Sequence, residues 1–277
     1  MRQLGLPNDA AEVEAYAHTD PGRELDDAIE AHDGFDIVIP VGPRDLDILS
    51  TQIKHTQANI VGYRKIFIIC IDPTVRIDGC VTIAEDIFPF TLATVRSFHG
   101  DLSRNGWYLQ QLLKLYAGIV IPDISARYLV IDSDTIFMRP TPFVEDAVCL
   151  YGYGWEYHQP YFGHMHRMDP GFAKVDARMS GICHHMMFEV QYVEEIIARV
   201  EAAHHDAFYN VFLRCVSEKD RAFSGASEYE MYFNYMLQHH RDKIRIRPLR
   251  WENRGTFDPD SDMDYVSVHY YMRGAVR

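Results

Sequence analysis

The 277-residue chain has 27 lysines and arginines against 40 aspartates and glutamates, a formal charge of −13. This balance argues against a nucleic-acid partner, which calls for a basic stripe. A composition that is 47% hydrophobic and 24% charged excludes a disordered, collagen-like or disulfide-scaffold chain. Cys70, Cys80, Cys149, Cys183 and Cys215 are scattered without a C-x-x-C pair. They are expected to be buried thiols in a reducing compartment rather than a disulfide framework or zinc ribbon. The N-terminus lacks the n- and h-regions of a signal peptide, and no apolar stretch approaches the roughly 18 residues of a membrane span. A soluble, cytoplasmic protein without a transmembrane segment is expected.

In chain order, residues 1–34 hold nine acids against Arg2 and Arg23, a local charge of −7. Short surface helices and no site are expected there, ahead of a single domain over residues 35–277. Short apolar runs follow: FDIVIPV from Phe35, KIFIICID from Lys65 and RYLVID from Arg127. Continuous rather than alternating hydrophobicity marks strands covered on both faces, as in a mostly parallel sheet flanked by helices. Between the last two runs, Leu109, Leu112, Leu113, Tyr116 and Val120 recur at helical spacing, with Ser103 or Asn105 as candidate cap. Trp107, Gln110, Gln111 and Lys114 form a polar row on that helix. The aromatic, Gly- and His-rich segment Tyr151–Met168 shows no clear period and reads as long loops beside a site. A strand at Gly181–Phe188, helices at Val190–His204 and Ser227–His240, and the strands KIRIRPL and YVSVHYY complete an α/β order.

The RYLVID strand ends in Asp132-Ser133-Asp134. Two carboxylates one residue apart at a strand's C-terminal end place hard oxygen ligands in the crevice where open α/β sheets bind ligands. Mg²⁺ or Mn²⁺ is held by one or two such carboxylates, the remaining ligands coming from water and phosphates.

Together with IVIPV, the W-Y-x-Q-Q-x-x-K-L helix, the S-G-I-x-H-H-M-M-F strand and the S-E-Y-E-x-Y helix start, the Y-L-V-I-D-S-D-T-I-F strand resembles a little-characterised bacterial and viral family of GT-A-fold glycosyltransferases. The order of motifs is also similar to galactosyltransferase and glycogenin-type enzymes, over residues 35–272. The resemblance implies a GT-A, Rossmann-like fold and a nucleotide-diphosphate-sugar donor, UDP-sugar favoured, held by Mn²⁺ or Mg²⁺. It implies that Asp134 ligates the metal directly and that Asp132 contacts the ribose or the metal, with His269 completing the shell. Lys114 and Arg273 are then the cations that reach the donor, with Ser133 beside it. Pro40, Val41, Arg44 and Glu85 are the nucleotide contacts. Ser180-Gly181 stands where related enzymes carry an N-S-G or N-A-G entry beside the donor sugar, although Met179 replaces the Asn. The base that deprotonates the acceptor hydroxyl is expected at the start of the 227–240 helix, as Glu228 or Glu230, giving inversion. S-x-x-E is also a capping box, which would occupy Glu230 without catalysis.

His184 and His185 are adjacent on an expected strand, so at most one faces the site. His164, His166 and His185 are the candidates for contact with a saccharide acceptor. No zinc arrangement is written among the histidines. Three alternatives remain at this point. A haloacid-dehalogenase-like phosphatase would use Asp132 as nucleophile, but no later Gly-Asp motif follows. A nucleotidyltransferase would need a glycine-rich phosphate loop that Val41-Gly42-Pro43-Arg44 lacks. An inactive carbohydrate-binding module would keep the aromatics without the chemistry.

Overall fold

A computed structural model of the protein describes residues 34–273. The acidic segment and its expected surface helices lie outside the described residues. From the start of the described chain, β1 (Phe35–Val41) leads through α1 (Leu46–Asn59) and β2 (Ile60–Val61) to β3 (Tyr63–Cys70) and β4 (Cys80–Ala84). Helices α2 (Leu92–His99) and α3 (Asn105–Val120) precede β5 (Arg127–Ile131), β6 (Thr135–Phe137), β7 (Thr141–Pro142), β8 (Val144–Glu145) and β9 (Val148–Tyr151). The chain continues through α4 (Gln159–Met168), β10 (His185–Glu189), α5 (Val190–His204), α6 (Phe208–Arg214) and α7 (Glu228–His239) to β11 (Ile244–Ile246), β12 (Trp251–Arg254) and β13 (Tyr265–Val268).

The result is a mixed α/β fold. Its five-stranded sheet has the order β10-β5-β1-β3-β4, parallel except for β10 against β5. All seven residues of the central strand β1 are buried, as a continuous apolar run requires when helices cover both faces. Asp36 is the polar exception in β1. Its carboxylate accepts from the amides of Ser125 at 2.7 Å and Lys65 at 3.1 Å, with Arg64 at 3.4 Å. These bonds tie β1 to β3 and to the entry of β5.

A smaller sheet, β12-β13-β6, has β13 antiparallel to β6. Ser267 faces Thr135, and the amide of Val268 donates to the carbonyl of Asp134. This register carries the end of β13 to the D-S-D turn, although 135 residues separate Asp134 from His269.

Several local expectations are corrected. Asn105 opens α3 rather than capping it. Its amide donates to the Gly100 carbonyl at 2.7 Å, and the cap residue Arg104 makes no side-chain cap bond. Residues 159–168, expected as loop, form α4. Its buried Tyr161, Phe162, His164, Met165 and Met168 do fall at helical spacing once His164 is counted as an inward residue. The strand expected from Gly181 starts only at His185, because His184 has φ of +65° and breaks the extended run. Strand β12 carried no recognisable period. The five cysteines are free thiols, four of them buried. Among the described residues no helix is long and apolar enough to cross a membrane.

Candidate active site

A cavity of about 360 Å³ opens at the carboxyl ends of β1 and β3, where open α/β sheets place their ligands. Pro40 and Val41 line it from β1, Arg44 from the turn after β1, Glu85 from beyond β4, Trp107 and Gln110 from α3, and Tyr270 from beyond β13. The polar row of α3 thus faces the site rather than bulk solvent, and Gln110 donates to the Pro40 carbonyl at 3.1 Å. The Arg44 guanidinium lies 4.6 Å over the Tyr270 ring. Burial pushes the Glu85 carboxyl up from its ordinary value.

Beside the cavity, the D-S-D turn distributes its three side chains to different partners. Asp132 Oδ1 accepts from Lys114 Nζ at 2.6 Å and from the Tyr229 hydroxyl at 2.9 Å, and its Oδ2 lies 3.4 Å from His184 Nδ1. Lys114 also donates to Glu228 Oε1 at 2.7 Å. The ammonium is therefore shared by two carboxylates in a buried setting, where an unpaired charge would be very costly. Burial alone would raise Asp132, but Lys114 and His184 outweigh it and hold that carboxyl low. Burial alone would lower Lys114, but Asp132 and Glu228 raise it. Burial raises Glu228, with Lys114 partly opposing.

Ser133 Oγ donates to Asp45 Oδ2 at 2.8 Å, and Asp45 in turn pairs with Arg273, which also binds Asp47. Asp134 Oδ2 lies 2.8 Å from His269 Nδ1. Burial would lower His269, but its bond to Asp134 and the charges of Asp134, Asp132 and Asp45 raise it.

Among the described residues no three His, Cys, Asp or Glu side chains are grouped to hold a metal by themselves. Asp134 and His269 together offer one carboxylate and one imidazole. That set suits Mn²⁺ or Mg²⁺ taking its remaining ligands from water and a diphosphate.

Other expected site residues lie elsewhere. Glu228 and Glu230 point to different sides of α7, since two helical residues apart means about 200° of rotation. The Glu230 carboxylate is buried and accepts from Ser180 Oγ at 2.6 Å, Lys174 Nζ at 3.0 Å and Asn234 Nδ2 at 2.7 Å. Those donors satisfy it and leave no position for a catalytic base. The capping box is also half made: Ser227 Oγ accepts from the Glu230 amide at 3.1 Å, but the Glu230 side chain turns away.

Ser180 is fully buried on Glu230. Gly181 serves close packing, because a Cβ there would meet the Tyr229 carbonyl oxygen at 2.4 Å. Neither lines the cavity. His164 is buried and bonded to the Phe212 carbonyl at 2.8 Å. His185 is buried among Phe137, Phe143 and Tyr265. Neither is placed to meet an acceptor, and His166 is exposed on α4. Lys114 and Arg273 are both engaged with internal carboxylates and offer no free charge.

Sequence reasoning missed Tyr229, His184 and Asp45 as members of this network. His184 was visible as one of the two adjacent histidines; Tyr229 lay unread between the two candidate glutamates.

The model of a family of unknown function, DUF6492, matches residues 46–254, well over half of the chain. The chain belongs to this family. The matched region holds Lys114, Asp132, Asp134, Glu228 and Tyr229, while β1 and His269 lie beyond it. No curated protein matches the chain.

Proposed function

We propose that the protein is a metal-dependent glycosyltransferase of GT-A architecture. It transfers a sugar from a nucleotide-diphosphate-sugar, UDP-sugar favoured, to a hydroxyl of a saccharide acceptor. The carrying observation is the 2.8 Å Asp134–His269 pair at the sheet's carboxyl edge, next to the cavity shared by Pro40, Val41, Arg44 and Glu85. In this reading the cavity takes the nucleotide, with Arg44 and Tyr270 at its rim. Asp134 and His269 hold the divalent cation, which, when bound, neutralises the diphosphate as it leaves.

Lys114 bridges Asp132 and Glu228 and fixes both carboxylates in place. Glu228, whose carboxyl burial raises, is the base that takes the proton of the acceptor hydroxyl. That oxygen bonds to the anomeric carbon as the bond from carbon to diphosphate oxygen breaks, which inverts the anomeric centre. The engagement of Asp132 Oδ1 by both Lys114 and Tyr229 weighs against a phosphatase in which Asp132 attacks phosphorus.

NMR of a panel of UDP- and GDP-sugars incubated with the protein and Mn²⁺ tests the reading. Metal-dependent release of the nucleoside diphosphate, with an inverted sugar product, is expected. Nucleotide sugars left intact, with inorganic phosphate released from an added phosphomonoester, would assign the site to a phosphatase.

A further inference from the structure

The loop after β9 carries an indole, Trp155, that is 63% exposed and explained neither by the core nor by the cavity. It stacks on Trp251 at 6.1 Å and 15°, and Trp251 stacks on buried Tyr265 at 5.7 Å and 10°. The His184 ring stands edge-on to Trp251 at 5.1 Å and reaches Asp132 through Nδ1. Gly154 makes this approach possible, because a Cβ there would lie 2.1 Å from the Ile182 carbonyl oxygen and 3.2 Å from Trp251. None of these residues lines the nucleotide-sized cavity.

Strand order explains the separation. Asp132 immediately follows β5, which lies between β1 and β10; the cavity opens on the β1 side, and His184 immediately precedes β10. The acidic turn therefore has two flanks, one with a cavity and one with an aromatic platform.

We propose that the Trp155–Trp251 stack is the acceptor subsite, binding an uncharged saccharide with a C–H face of its pyranose ring on the Trp155 indole. This inference rests on the glycosyltransferase reading. A single open indole backed by two further rings is a rigid apolar surface the size of one sugar ring, far smaller than a protein-binding patch. Its inner end meets the polar groups around Asp132, as a ring with apolar faces and hydroxyl edges requires. The stack replaces His164 and His185, which the fold has buried.

Saturation-transfer NMR with neutral methyl glycosides and disaccharides, in the presence of UDP and Mn²⁺, tests the proposal on wild type, Trp155→Ala and Trp155→Phe. At least one saccharide should bind wild type with saturation concentrated on one C–H face. Its affinity should fall at least about tenfold in Trp155→Ala, a loss of about 1.4 kcal/mol, and be largely kept in Trp155→Phe. UDP·Mn²⁺ affinity, measured by calorimetry, should be the same in all three. Absence of saccharide binding to wild type, or equal binding by Trp155→Ala, overturns the subsite. A loss of UDP affinity in Trp155→Ala overturns it too, by moving the indole to the donor side. If Trp155-dependent saccharide binding persists while neither UDP nor GDP binds, the subsite stands and the transferase reading falls.

Discussion

Lys114 ties two carboxylates together from the middle of α3, and the consequences of substitution differ sharply among the three. Removing Lys114 would leave Asp132 and Glu228 buried without a counter-charge, a cost of roughly 3–5 kcal/mol, so its loss of activity would be confounded with unfolding. Glu228→Gln keeps the Lys114–Asp132 bond of 2.6 Å. It should lower transfer by orders of magnitude while leaving UDP affinity almost unchanged; unchanged turnover would remove Glu228 from the reaction. Glu230→Gln should behave in the opposite way. It removes the counter-charge of half-buried Lys174, which keeps its bond to the Met179 carbonyl, so denaturant unfolding should show a loss of roughly 1–3 kcal/mol, with UDP affinity per folded molecule unaffected. The sequence displayed both glutamates equally well. What it could not display was which side of α7 faces β5, since both sides of that helix are buried and no polar stripe distinguishes them.

The strands that carry the site were legible because burial on both faces writes an uninterrupted apolar run, and β1, β3 and β5 each begin or end near the residues expected. The failures have separate causes. Helix α4 is hidden because His164, a polar letter, occupies an inward position, and β10 starts late because His184 takes a left-handed φ of +65°. Buried His164 and His185 give the fold a measurable acid sensitivity. Burial lowers His164 from the ordinary 6.5 to about 4 and His185 to about 3. Both are then neutral in the folded state over a range in which the unfolded chain takes up protons. The sign follows: their penalty is absent above about pH 6.5 and grows as pH falls toward 4, by up to roughly 3 kcal/mol each. Urea unfolding from pH 7 to 4 should show stability falling, and His185→Leu should flatten part of that slope; an unchanged slope would contradict the buried neutral state. The contact between α7 and the turn before β10 is equally specific. Gly181→Ala drives a methyl group into the Tyr229 carbonyl and should cost about 1–3 kcal/mol by overpacking, visible as a lower midpoint in denaturant.

The net charge of −13 looks ill suited to an anionic diphosphate, and the fold shows where the charges go. The stretch 241–254 has six bases against two acids, a local +4, and three of its arginines are engaged in ion pairs. Arg245 pairs with Glu145 and Asp146, Arg250 with Asp262 and Asp264, and Arg254 with Glu252 and Asp258. In the proposed reading, with Lys114 and Arg273 also engaged, a divalent cation compensates the acidic turn and inverts the sign of its surroundings. The D-S-D turn was readable from sequence as a strand-end acid pair. Its union with His269 depends on the β6–β13 register, a pairing of distant segments that no local pattern encodes. Isothermal titration of UDP and GDP, with and without Mn²⁺, reaches that union most directly. Nucleotide binding that requires Mn²⁺, and that both Asp134→Ala and His269→Ala abolish while the variants stay folded, is the expected result; binding that ignores the metal or survives both substitutions would contradict the account.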